Sequence, residues 1–426
     1  MHCTETADPE TAEPSSPPRP PLSLTSGRSS SSAIRDLLRI TRSPGILSLA
    51  GGLPAPECLP TDRVRSAADR ALSISGPCGP TALQYGPTEG IDALRETVAV
   101  GTLASPTLGR ANQVVITTGS QQGLALVARV LVDPGTPVAV EDPVYLGARQ
   151  VFAGAGAEIV GIPVDANGLD TDDLELRLRQ GLRPSIVTCV PNFSNPSGAC
   201  FPIARRLHLA TLAQQYGFVI VEDDPYHALY FDDPPPPPIA QLAPDRTVTL
   251  GSASKVIAPG LRVGWLHAPE WLLQPIVRAK QTLDLHTPAL TQLIVTEILN
   301  DAAFLEPHLE STRDRYERRA RALHAAVSGF IDAAMPSGGM FLWGCAEVDT
   351  TATLDQAITG GVAYVPGDVF TVEDLTHRWL RLSFATLNEE RLTEAAARLE
   401  SAFAGIERPR PQVPDPSVGS HRPRVQ

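Results

Sequence analysis

Only two residues in this 426-residue chain carry a side-chain primary amine. It holds 35 lysines and arginines, and of these just Lys255 and Lys280 are lysines. An amine condenses with an aldehyde or ketone, and a guanidinium cannot take its place. A lysine kept where arginine serves as the general cation therefore invites a chemical reason. Lys255 alone reads equally well as a solvated loop cation. Its setting is Gly251-Ser252-Ala253-Ser254-Lys255, followed by Gly260-Leu261-Arg262-Val263-Gly264-Trp265. It follows the apolar run Val248-Thr249-Leu250 and lies on no obvious polar helix face.

Three further stretches carry chemistry-bearing residues. Thr118-Gly119-Ser120-Gln121-Gln122-Gly123 falls between a predicted strand and a predicted helix. Such a turn presents free backbone N–H groups and a positive dipole end, which suit a phosphate. It matches neither a P-loop nor G-x-G-x-x-G, and simple helix capping also explains it. Glu222-Asp223-Asp224-Pro225-Tyr226 follows a buried strand, and side-chain alternation sends Asp223 to the face opposite Glu222 and Asp224. Alone it is a solvated acidic turn. Pro191-Asn192-Phe193-Ser194-Asn195-Pro196-Ser197-Gly198 follows another strand, where Asn–Pro ordinarily starts a turn. Taken together, these supply a phosphate cradle, a carboxylate at a strand end with a tyrosine three residues on, an amide at a second strand end, and a privileged lysine near an arginine. Pyridoxal 5'-phosphate requires that set: an amine to bond its aldehyde, a carboxylate to keep its ring nitrogen protonated, a phenol and an amide for its ring oxygen, and an arginine and a helix end for its phosphate.

The elements that must position these residues form an α/β pattern. Val114–Thr117, Val138–Val140, Ile159–Ile162, Ile186–Val190 and Phe218–Val221 are predicted strands. They alternate with helices over Gln121–Leu131, Tyr145–Phe152, Thr171–Arg179 and Ile203–Gln215. Val248–Leu250 and Val263–Leu266 add two strands, giving a mostly parallel seven-stranded sheet. The strands are continuous apolar runs, as expected when helices cover both faces, and ligands bind where such strands end. After a helical stretch from about Thr287 to Val327, strands at Met340–Trp343, Val362–Val365 and Trp379–Phe384 and a helix over Asn388–Phe403 indicate a smaller α+β domain. The expected division is a disordered segment 1–30, an arm and helix 31–60 with a cap at Ser31 or Ser32, a large domain 61–300, a small domain 301–407 and a disordered tail 408–426.

Composition narrows the function classes. Hydrophobic residues make up 42% and charged residues 19%, which allows a sizeable core. A formal net charge of -12 argues against nucleic acid or an anionic membrane as partner. No apolar run reaches membrane-span length, and residues 1–21 lack the pattern of a signal peptide. Six cysteines without C-x-x-C pairing and nine histidines without H-E-x-x-H suggest reduced thiols, a cytoplasmic protein and no metal site. The Pro234–Pro238 run reads as a stiff surface spacer.

From about Ser32 to Ala404 the chain resembles the fold-type I, aspartate-aminotransferase-like PLP enzymes, and most of all the branch of 2-aminoadipate (LysN-type) and kynurenine aminotransferases. The likeness rests on Ser32-Ala33-Ile34-Arg35, Leu49-Ala50-Gly51-Gly52-Leu53-Pro54, Tyr85-Gly86-Pro87-Thr88-Glu89-Gly90, Asn195-Pro196-Ser197-Gly198, Glu222–Tyr226, Ser252–Lys255, Pro336–Phe341 and Leu380–Phe384. The resemblance implies that Lys255 bonds the cofactor and shuttles the substrate proton. It implies that Asp223 pairs with the ring nitrogen, that Tyr226 and Asn195 bind the ring oxygen, and that Tyr145 stacks on the ring. Ser120, Gln121, Ser252, Ser254 and Arg262 would hold the phosphate, with Tyr85 reaching the neighbouring subunit's phosphate in a homodimer. Arg381 would bind the substrate α-carboxylate, assisted by Asn195. Gly51 and Gly52 would line the mouth, and Arg35 would ride on a closing helix. Some relatives carry a fused DNA-binding segment, for which the residues before Ser32 leave no room. The implied reaction is transamination between an L-amino acid of 2-aminoadipate, aromatic or arylglycine type and a 2-oxo acid. Elimination or oxidation on the same scaffold, or a non-catalytic regulator, are the alternatives.

Overall fold

The computed structural model describes residues 21, 23, 27, 45–73, 80–373 and 377–405. The expected helix at Ser32–Leu38, with Arg35 on it, lies outside them, as do nearly all of the expected terminal disorder and the cysteines Cys3 and Cys78.

An eight-stranded sheet forms the centre, in the order Val114–Thr117, Gly264–His267, Thr247–Ser252, Val219–Asp223, Ile186–Cys189, Pro137–Asp142, Glu158–Asp165 and Gly168–Leu169. The strands from Thr247–Ser252 to Glu158–Asp165 pair in parallel. Gly264–His267 runs against both its neighbours, and the two-residue Gly168–Leu169 adds an eighth, antiparallel edge beyond the seven strands expected. Residues within the central strands are almost all buried. Alternation sorts them to two faces. Val219 and Val221 pack with Leu124, Phe152 and Leu272, while Ile220 packs with Leu174, Leu209 and Leu212. Burying each such side chain contributes about 1.5–3 kcal/mol, and this fixes the register that the functional residues inherit.

The connections between parallel strands place helices Ser120–Leu131, Leu146–Ala155, Thr171–Arg179 and Ile203–Tyr216 on these faces. Consequently Thr117, Asp142, Cys189, Asp223 and Ser252 all terminate strands at one edge of the sheet. Arg262 reaches the same edge because it lies two residues before the reversed strand Gly264–His267.

A second, four-stranded antiparallel sheet orders Ile331–Ala333, Phe341–Ala346, Trp379–Ser383 and Val365–Pro366. Its helices are Ala302–Val327 and Glu389–Ala404, the latter capped by Asn388 Oδ1 accepting from Arg391 N at 3.0 Å. The predicted strand Val362–Val365 is divided. Val362–Ala363 pairs in parallel with Leu47–Ser48, while Val365–Pro366 joins the four-stranded sheet. Buried Tyr364, whose hydroxyl donates to Thr350 O, separates the two partners. Two long helices escaped the sequence reading, Thr61–Leu72 and Glu270–Leu283. The second contains Pro275, which looks like a helix stop.

Candidate active site

The strand ends surround a cavity of about 510 Å³. Twelve of the residues singled out from sequence line it: Gly52, Ser120, Gln121, Tyr145, Asn195, Asp223, Tyr226, Ser252, Ser254, Lys255, Arg262 and Arg381. Gly51 is buried beside Gly52 but is not part of the lining. Tyr85 stands apart at 79% exposure, edge-on to His286 with ring centroids 5.7 Å apart. Sequence reasoning gave no role to Leu53, Leu146, Gln150, Val190 or Phe341, which also line it, along with Gly119, Gly147, Pro225 and Pro259. Phe341 was legible only as part of a motif, because its contacts with the site come from the other sheet.

The acidic triplet shows what strand alternation achieves. Glu222 turns away from the cavity, where its carboxylate accepts from Ile239 N at 2.9 Å and Thr249 Oγ1 at 3.0 Å. Asp224 accepts from Asn192 Nδ2 at 2.8 Å, and buried Arg206 donates to Asn192 Oδ1 at 2.5 Å. Asp223 alone faces the cavity. It is buried, and its Oδ1 has no hydrogen-bond partner. Burial first, and then Asp224, push its carboxyl up to about 7, against the opposing pull of Lys255 and a hydrogen bond from Ser120. A buried, unpartnered carboxylate oxygen is costly unless a cation or donor arrives.

Lys255 sits in the turn after the strand Thr247–Ser252, and its Nζ donates to Gly52 O at 2.7 Å. Burial, together with the cations Arg381 and Arg262, lowers its amine to about 8. Lys280, the other lysine, is fully buried outside the cavity and bonded to Asp284 at 2.9 Å.

Arg381 lies on the second sheet, opposite the lysine. Nη1 donates to Asn195 Oδ1 at 2.7 Å and Nη2 to Ala50 O at 2.6 Å, while Nε has no partner. Its guanidinium carbon lies 4.3 Å from the Phe341 ring centre and 5.0 Å from that of Phe370. Burial lowers its pKa to about 10, which still leaves it charged near neutrality. Burial also raises the Tyr145 phenol to about 12 and the Tyr226 phenol higher still.

The phosphate-sized end is built by close backbone approach. Gly119 has φ +88°, and a Cβ there would lie 2.5 Å from the Arg262 guanidinium. Arg262, itself left-handed at φ 53°, donates through Nη2 to Thr118 O at 3.1 Å. Ser252 Oγ accepts from Ser254 N at 3.1 Å. The helix Ser120–Leu131 points its N-terminus at this end, so its first-turn N–H groups face the cavity.

The model of the family "Aminotransferase class I and II" matches residues 56–399. The chain is 41% identical over 390 residues to a 2-aminoadipate transaminase of Thermus thermophilus, covering 89% of this chain and 96% of that protein. It is 36% identical over 380 residues to an aromatic-amino-acid aminotransferase of Thermococcus litoralis, covering 86% and 90%. The crystal structure of LysN, an α-aminoadipate aminotransferase of Thermus thermophilus complexed with N-(5'-phosphopyridoxyl)-L-leucine, superposes with a TM-score of 0.82 at 39% identity, covering 90% and 97%. The residues present fit such a cofactor. The unpartnered Asp223 oxygen suits a protonated ring nitrogen, the Gly119–Arg262 end suits a dianion, and Lys255 is the only amine in the cavity. With the family model spanning most of the chain and the cavity suited to its cofactor, the protein belongs to the class I and II aminotransferases and is a PLP-dependent transaminase.

Proposed function

We propose that the cavity transfers an amino group from an L-amino acid with a neutral, apolar or aromatic side chain to a 2-oxo acid. Bound pyridoxal 5'-phosphate supplies an aldehyde carbon and an electron-withdrawing ring. Lys255 would hold that carbon, and its Nζ would carry the proton from the substrate Cα. An amine held near 8 is neutral often enough at physiological pH to accept a proton and return it. Asp223 would keep the ring nitrogen protonated. Tyr226 and Asn195 would hold the ring oxygen, and Tyr145 would offer its ring as a packing surface. Ser120, Gln121, Ser252, Ser254 and Arg262 hold the phosphate. Arg381 takes the α-carboxylate as a two-pronged donor, and its burial against two aromatic rings keeps water from competing. Gly52 leaves room at the mouth, with Gly51 behind it.

The side-chain preference rests on the distribution of charge. Among the described residues, the cavity's cations are Lys255, Arg262 and Arg381, each with a task already. The rest of the wall carries no charge: Leu53, Leu146, Val190 and Phe341, the amide of Gln150, and the glycines and prolines Gly119, Gly147, Pro225 and Pro259. We assign Arg35, which lies outside the described residues, to binding the distal carboxylate of an acidic 2-oxo acid acceptor. We also propose that the protein works as a homodimer, with exposed Tyr85, Leu83 and Leu285 covered by a second copy. Further, we propose that 61–300 and 301–407 are its large and small domains, and that it resides in the cytoplasm. The four cysteines among the described residues are free, which supports that location, and no described helix is long and apolar enough to cross a membrane.

The observation that carries the reading is the convergence of Lys255, unpartnered Asp223 and Arg381 on one cavity. Mixing the loaded enzyme with single amino acids should convert bound cofactor to its amine form, read as loss of the visible absorbance band. Aromatic donors should react faster than 2-aminoadipate. Borohydride reduction followed by peptide mapping should find the label on Lys255. Label on Lys280, or no conversion by any donor, would overturn the reading.

A further inference from the structure

The chain's second lysine lies directly behind the turn that forms the phosphate end of the cavity. Lys280 Nζ is fully buried and donates to Asp284 Oδ1 at 2.9 Å, Gln122 Oε1 at 3.1 Å and Thr287 Oγ1 at 3.2 Å. Three acceptors converging on one ammonium suit lysine, whose three donors radiate from a point. A planar guanidinium would need a wider gap than this buried site leaves. The substituents of this cluster all reach Thr118. Thr118 N donates to Gln122 Oε1 at 2.8 Å, and Thr118 Oγ1 donates to Asp284 Oδ2 at 3.1 Å. Thr118 Oγ1 also lies 3.2 Å from Thr287 Oγ1, and Gln122 Nε2 donates to Asp284 Oδ2 at 2.7 Å. On the cavity side, Arg262 grips the carbonyl of the same residue. Thr118 is thus held from behind by the lysine cluster and in front by the arginine, and Gly119, Ser120 and Gln121 follow it into the cavity wall.

We propose that Lys280 is a positioning residue: with Asp284, Gln122 and Thr287 it sets the orientation of the Thr118–Gln121 turn for the cofactor's phosphate. The inference rests on the reading of Ser120, Gln121 and Arg262 as phosphate holders. It explains why lysine occurs at only two places, one in front of this turn and one behind it. A buried ion pair that merely filled space would support every ligand of the cavity equally. A cluster aimed at the phosphate turn supports only ligands that carry the phosphate.

The test compares pyridoxal 5'-phosphate with pyridoxal, which lacks the phosphate, on the full-length protein stripped of cofactor. Thr118→Val keeps the side-chain shape and removes the hydroxyl bonds, and Lys280→Met removes the hub. Binding is followed by the absorbance of the adduct at Lys255. In both variants affinity for pyridoxal 5'-phosphate should fall roughly tenfold or more, while affinity for pyridoxal stays within about twofold. An equal fall for the two ligands, or no fall for the phosphorylated one, overturns the proposal. If Lys280→Met does not fold, Thr118→Val decides alone. If the wild-type protein forms no adduct with pyridoxal 5'-phosphate at Lys255, the reading of the cavity falls, and this inference falls with it.

Discussion

Replacing Asp223 by asparagine should stabilise the cofactor-free protein while disabling the enzyme. The carboxyl is buried at a strand end, and one of its oxygens has no partner. It is pushed up to about 7. An acid whose folded pKa lies above its unfolded value loses stability as pH rises between the two, here from about 4 to about 7. At about 1.4 kcal/mol for each tenfold, the cofactor-free wild type forgoes about 4 kcal/mol at pH 8 on this one group. Asparagine keeps the shape and carries no such term, but its own unpaired amide costs about 1–2 kcal/mol. The net gain at pH 8 is about 2 kcal/mol, and at pH 5 it shrinks to near zero because the wild-type carboxyl is then mostly protonated. Scanning fluorimetry of the stripped protein at pH 5 and pH 8 measures this as a melting temperature a few degrees above wild type at the higher pH only. The loaded enzyme should move the opposite way. Losing the ring-nitrogen partner removes about 3 kcal/mol or more of transition-state stabilisation, a fall in kcat of roughly a hundredfold or more. A stripped Asp223→Asn protein that melts below wild type at pH 8, or a gain that persists unchanged at pH 5, would refute the reasoning.

Three further outcomes follow. Arg381→Lys should weaken every amino donor by roughly 2–4 kcal/mol in kcat/KM, since a point charge cannot replace both prongs of the buried guanidinium. Arg35→Ala should weaken acidic partners alone, and steady-state kinetics on one acidic and one aromatic donor separates the two. Recombination of stripped enzyme with pyridoxal 5'-phosphate should speed up with pH and level off above about 8, because the neutral amine of Lys255 is the reactive form and burial beside Arg381 and Arg262 lowers its pKa. A midpoint near that of an ordinary lysine, roughly 10.4, would contradict this.

Much of the site was legible because of how a parallel sheet encodes itself. Strands buried on both faces read as unbroken apolar runs, and several of these runs lead into a motif that lines the cavity. Asp223 was separable from Glu222 and Asp224 because alternation continues through the strand end. What could not be read arises from contacts remote in sequence. Arg381 meets Ala50 across 331 residues and Asn195 across 186. Its aromatic bed of Phe341 and Phe370 comes from separate pieces of the second sheet region. The support behind Asp224, through Asn192 and Arg206, leaves no local signature, since a buried arginine looks like any surface cation in sequence, and the cluster behind Thr118 showed only in the rarity of lysine, which does not say where Lys280 sits. Pro275 inside the helix Glu270–Leu283 concealed the element that carries Lys280. The break at Tyr364 was hidden because four apolar residues in a row do not show that they serve two sheets.

The burial of Lys280 also bears on how this protein handles its own reactive cofactor. Aldehydes condense indiscriminately with exposed amines, so a typical lysine-rich surface collects adducts when pyridoxal 5'-phosphate is in excess. Here the chain presents a single side-chain amine to an entering ligand, the one in the cavity, because the other is fully buried and occupied. Apart from the terminal amine, the surface is silent to amine-directed reagents. Loading should therefore saturate at one equivalent per chain, and a reduced adduct should block lysine-specific cleavage at one junction alone, between Lys255 and Val256, while Lys280–Gln281 is still cut.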